Sequence, residues 1–107
     1  MSAILVHEDT SDQYKVNEPL CKIGSAPSNS IVITAEGVSP MLLRIEKKGE
    51  DYFAALEPGA TPTRKYLLFF DIPNCTVNRQ PLTSRPVKLA NGDKIQVGSK
   101  SLVFYIS

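Results

Sequence analysis

The chain has 107 residues, with 12 Lys and Arg against 11 Asp and Glu and a single histidine. That length holds one domain with one core and leaves no room for a large catalytic insertion. Charges that nearly cancel argue against general attraction to nucleic acid or to an anionic membrane surface, and no apolar run approaches the roughly 18–20 residues of a membrane span.

The start, Met1-Ser2-Ala3-Ile4-Leu5-Val6-His7-Glu8, lacks a basic leader and reads as a mature cytoplasmic start. From there the apolar period is two almost everywhere, and turn residues recur at short intervals. Strands are expected over residues 3–7, 13–17 and 20–24, with Tyr14 and Val16 sharing a face. Pro19 closes the second, because proline cannot donate to a ladder. Residues 31–34 and 41–47 follow, with Met41, Leu43 and Ile45 on one face. A turn with Gly49 near its tip predicts a hairpin returning over 52–57.

Pro58-Gly59-Ala60-Thr61-Pro62 is a wide loop with two breakers. One long strand is expected over 63–70, strongly apolar in Tyr66-Leu67-Leu68-Phe69-Phe70. That run is apolar on both faces, which favours cover on both sides inside the domain over one side meeting a partner. After a loop over 71–74 come a strand over 76–78 and the tight turn Asn78-Arg79-Gln80-Pro81. Strands over 87–89, 94–97 and 101–106 close the chain, the last with Leu102, Phe104 and Ile106 on one face. Asn91-Gly92-Asp93 is a turn, since Asn and Gly accept positive φ. No helical period is sustained. About eleven mostly antiparallel strands therefore predict an all-β sandwich forming a single domain, 1–107.

Catalytic chemistry finds no foothold, so the chain is read as a non-enzyme without cofactor or metal. Cys21 and Cys75 are the only cysteines, and without a CxxC or Cys/His cluster they read as small apolar core residues. His7 has no Ser, Cys or Asp partner in view and reads as a strand surface residue. Asp51, Asp71 and Asp93 sit at turns, where Asp is common for backbone reasons. The loop 24–30 lacks Gly-Lys-Ser/Thr and no helix follows, so it is not a P-loop. Ser25, Ser28 and Ser30 with backbone N–H groups could make an anion nest; a polar turn is the plainer reading. Arg44 alternates with Leu43 and Ile45 and reads as facing solvent.

Gly24, then Asn29-Ser30-Ile31-Val32-Ile33, Val38-Ser39, Thr76-Val77-Asn78 and Leu89-Ala90-Asn91-Gly92-Asp93-Lys94-Ile95-Gln96-Val97-Gly98 occur in an order and spacing that resembles a forkhead-associated (FHA) domain. The resemblance implies an FHA-like β-sandwich of about eleven strands with its ligand loops at one end. It also implies non-catalytic recognition of phosphothreonine in a protein partner or peptide. In the family an Arg after the first Gly reaches the phosphate, a Ser of the next loop donates to it, an Asn holds the peptide backbone and a His braces the site. Carried over, the binding candidates are Gly24, Ser25, Ser28, Asn29, Ser39, Asn74, Asn78 and Arg79.

The position after Gly24 is Ser25, Pro40 follows Ser39, Leu42 stands at the His position, and Asn74 matches only with a one-residue shift from Pro73. Arg79 replaces the Gly expected after Asn78. A hydrogen bond to a charged group is worth about 1.5–3 kcal/mol and a neutral one about 1, so loss of the Arg implies roughly tenfold weaker phosphate binding. The expected function is a phospho-independent protein-interaction or assembly module of a larger protein or complex. By resemblance, diverged members of this kind occur in bacterial secretion scaffolds. The alternative is a phosphothreonine reader using Ser25, Ser39 and a cation from elsewhere, such as Arg79.

Overall fold

The computed structural model describes residues 2–67 and 69–107; Met1 and Leu68 lie outside the described residues, as does the side chain of Tyr66. Thirteen strands follow one another: β1 Ala3–His7, β2 Gln13–Lys15, β3 Leu20–Gly24, β4 Ile31–Val32, β5 Leu43–Lys48, β6 Asp51–Leu56, β7 Thr63–Tyr66, β8 Phe70–Pro73, β9 Cys75–Val77, β10 Gln80–Pro81, β11 Val87–Leu89, β12 Lys94–Val97 and β13 Lys100–Ile106. One sheet has the order β10-β9-β12-β13-β1-β2 and the other β11-β6-β5-β3-β4. Every pairing is antiparallel except β3 with β4.

Period-two patterning decides what each sheet buries. Leu5 on β1, Ile23 on β3, Leu43 and Ile45 on β5, Ile95 and Val97 on β12, and Leu102 and Phe104 on β13 are all fully buried between the sheets. Burial stabilises by about 1.5–3 kcal/mol for each large apolar side chain. Tyr52 of β6 meets Phe104 edge-on, with ring centroids 5.4 Å apart. Its hydroxyl donates to Glu18 Oε2 at 2.6 Å, so the buried polar tip has a partner. Burial and then the Glu18 carboxylate push the Tyr52 phenol up to about 12. The bonds from Tyr52 and then Lys47 hold Glu18 below the usual carboxylate range. Cys21 and Cys75 are both free and buried in the core; burial raises both thiols, Cys75 to about 12.

Two expectations need correction. Residues 63–70 are not one strand. They divide between β7 and β8, a separate two-stranded ribbon in which Lys65 faces Asp71 and Tyr66 faces Phe70. The Lys65 Nζ to Asp71 Oδ1 distance is 2.8 Å. The apolar run therefore straddles the ribbon's tip. Leu67, Phe69 and Phe70 are 66%, 84% and 61% exposed, so internal cover does not hold for them. The turn carries no Gly, Pro, Asn or Asp; Leu67 itself takes the left-handed conformation, φ 52°. Second, His7 is not a surface residue. It is 5% exposed, and its Nδ1 accepts from the N–H groups of Asp9 and Thr10, each at 3.2 Å, which caps the β1–β2 turn.

Candidate functional site

The loops after β3, β4, β6 and β12 and the β8–β9 junction gather at one end of the sandwich. The Ser25 N–H donates to the Ser39 carbonyl at 3.0 Å and the Ala26 N–H to the Pro40 carbonyl at 3.2 Å. Asn29 Nδ2 adds a second bond to that Pro40 oxygen at 2.7 Å. Gly24 lies directly beneath: a Cβ there would overlap the Pro40 carbonyl oxygen and stand 2.9 Å from Asn29 Nδ2. A glycine is thus required by close backbone approach. Asn29, 8% exposed, is a brace between the two loops.

The connector between β6 and β7 enters this end from the side. The Thr61 N–H donates to Ser39 Oγ at 3.1 Å. The Thr61 carbonyl accepts from Asn74 Nδ2 at 2.9 Å, and the Pro62 carbonyl accepts from the Asn74 N–H at 2.8 Å. Asn74 is 2% exposed, and its Oδ1 accepts from Arg64 Nη1 at 2.7 Å. The guanidinium lies against Gly37, where a Cβ would stand 2.5 Å from Nη1 and 2.6 Å from Asn74 Oδ1. The turn after β12 completes the assembly: Gly98 N–H donates to the Asn74 carbonyl and Ser99 N–H to the Glu36 carbonyl.

Of the sequence candidates, Gly24, Ser25, Asn29, Ser39 and Asn74 come together here, with exposed Ser28 at the rim of the first loop. Leu42, at the position where the family carries His, is fully buried in the core. Asn78 and Arg79 do not join them. Asn74 precedes β9 and Asn78 follows it, so the two lie at opposite ends of that strand. Asn78 and Arg79 have φ of 50° and 71° and form the two-residue turn into β10. Asn78 is occupied there, donating to Asp93 Oδ1 and accepting from the Lys94 N–H, both at 2.9 Å. Arg44 is held by carboxylates, its Nε 3.2 Å from Glu46 and 3.6 Å from Glu57.

The sequence reading missed Arg64 and Thr61. Arg64 is half-buried and pairs with no described carboxylate. Its only sequence signal is a segment between residue 56 and Asn74 longer than a single connection needs. Among the described residues no three His, Cys, Asp or Glu side chains gather as a metal site.

The family model described as FHA domain matches residues 21–98. No relative is found among curated proteins. Among solved structures, the chain is similar to an FHA domain studied for phosphothreonine-dependent interactions, at 23% identity and TM-score 0.79 over 100% of this chain and 98% of that one. Mycobacterium tuberculosis EmbR, solved with a low-affinity phosphopeptide, matches at 22% and 0.78; the alignment covers 99% of this chain and 24% of EmbR. The FHA domain of CT664 from Chlamydia trachomatis matches at 11% and 0.76, over 100% and 99%.

Proposed function

We propose, from the premise that the chain belongs to the FHA family, that it is a protein–protein interaction module whose loop end contacts its partner without requiring a phosphate. The observation that carries this is the bond from the Thr61 N–H to Ser39 Oγ. The chain's own connector is bonded against the hydroxyl at the family's phosphate-donor position. Asn74, at the one-residue shift from the position that holds a peptide backbone, likewise holds Thr61 and Pro62. Ser25 brings no charge beside them, and Leu42 supplies packing in place of a polar brace. The partner is a protein or a peptide, met within a larger cytoplasmic assembly. Titration calorimetry against a phosphothreonine peptide library tests the reading. No specific heat is expected; micromolar binding lost on dephosphorylation would sink it.

One observation favours a second reading, a phosphothreonine reader with a relocated cation. Arg64 reaches the loop end from the inserted ribbon, where neither Arg44 nor Arg79 does. The phosphopeptide bound to EmbR lends this support. On this reading Arg64→Ala weakens phosphopeptide binding about tenfold or more, the difference between charge-assisted and neutral contact. Unchanged affinity refutes it.

A further inference from the structure

The β6–β7 connector is not a free loop. Thr61 is clamped through both main-chain groups, its N–H on Ser39 Oγ and its carbonyl on Asn74 Nδ2. The clamp fixes the backbone yet leaves the side chain in solvent: Thr61 is exposed, and its hydroxyl makes no hydrogen bond to the described residues. Across the same Asn74 carboxamide lies Arg64, 2.7 Å from Oδ1 and half-buried against Gly37. A cation stripped of part of its water without a counter-ion is unfavourable, so an anion arriving there is favoured. Thr61, whose carbonyl is bonded to the same carboxamide, carries a hydroxyl on an exposed residue that covalent change can make anionic.

We propose that Thr61 is a modification site and that Arg64 holds, in the same chain, a phosphoryl group placed on it. In the modifying step a protein kinase brings a nucleoside triphosphate. Thr61 Oγ1 attacks the γ-phosphorus and the bond to the β–γ bridging oxygen breaks. The nucleoside diphosphate leaves with the electron pair, and the hydroxyl proton passes to a base of the kinase. The product carries about −1.5 to −2 charges at neutral pH and three acceptor oxygens. A guanidinium can meet two of them at once. Ser39 accepts from the Thr61 N–H and keeps its own hydroxyl proton to donate. Modification would fasten the connector over the loop end and exclude an outside partner from it. This rests on the reading that the loop end is the partner-facing surface, and is separate from whether that partner carries phosphate.

The test compares the chain bearing phosphothreonine at position 61, made by ligation or genetic encoding, with the same modified chain carrying Arg64→Gln. Glutamine removes the charge with a shorter polar side chain, and urea unfolding of both chains verifies that the fold is retained. Phosphorus NMR follows the second ionisation of the phosphate, which lies near 6 when free. Arg64 is expected to lower it by about one unit, a tenfold change in the equilibrium, and Arg64→Gln to abolish the shift. An ionisation equal to that of the denatured chain, or one lowered equally in Arg64→Gln, overturns the proposal. A phosphopeptide titration of the unmodified chain reports separately on the trans reading.

Discussion

Asn74 is the joint between ribbon, connector and sandwich, and the Arg64–Asn74 pair allows its worth to be measured. Asn74→Ala removes the 2.9 Å bond to the Thr61 carbonyl and the 2.7 Å bond from Arg64 at a site 2% exposed. A neutral bond contributes about 1 kcal/mol and one to a charged partner about 1.5–3. Arg64 is half-buried, so the lower end applies, and the missing carboxamide leaves a small void. The expected loss is about 2–4 kcal/mol, or on the order of 10–25 °C in Tm. Arg64→Ala should cost about 1–2 kcal/mol, since it leaves Asn74 Oδ1 buried without this donor. Urea unfolding of both single variants, the double variant and the parent closes a double-mutant cycle. A coupling energy of about 1–2 kcal/mol is expected. A value within about 0.5 kcal/mol of zero, the scatter of independent sites, would refute the idea that this pair ties the ribbon down.

Gly24→Ala forces a methyl against the Pro40 carbonyl, whose oxygen already accepts from Ala26 and Asn29. Overpacking and strained hydrogen bonds together should cost about 2–4 kcal/mol in urea unfolding. Tyr52 has its phenol raised to about 12 in the folded state, so its contribution is complete below the unfolded value near 10 and lost as pH rises through about 12. Tyr52→Phe should remove that part of the alkaline loss, as read from melts between about pH 9 and 12. Cys75, raised to about 12 by burial, should resist thiol reagents near pH 8 until the chain is unfolded. Replacing Leu67 and Phe69 by Ser should leave stability within about 0.5 kcal/mol per site, because both side chains already face water; urea midpoints check it.

Sandwich strands were legible because each buries one side against a single core, and alternation records that directly. Ile95 and Val97, and Leu102 and Phe104, fall inward as their spacing predicts. The β7–β8 ribbon was not legible, since alternation reports burial and the ribbon's tip is covered by nothing described. Its turn uses Leu67 at positive φ, with none of the residues that normally announce such a turn. At the site, the family resemblance named Gly24, Asn29 and Ser39 as binding candidates, and the bracing of the two loops by Asn29 was not legible, because it depends on a Pro40 carbonyl eleven residues away. Arg64 did not, because between Thr63 and Lys65 it reads as one charge of a solvated strand. Only the ribbon's fold-back brings it to Asn74. Arg79 failed for a related reason: motif order gives position along β9 but does not say which end of the strand faces the loops.

Among the described residues the ribbon pairs with no other strand, and it is tied to the sandwich at its base. The demands of folding therefore fall on the ribbon's base and spare its tip. Arg64, Asn74 and Gly37 are bound to the frame, while the tip around Leu67 and Phe69 can lengthen, drift or be exchanged by single steps. A domain built this way can reshape its tip through a few exposed codons, with its core left as it was.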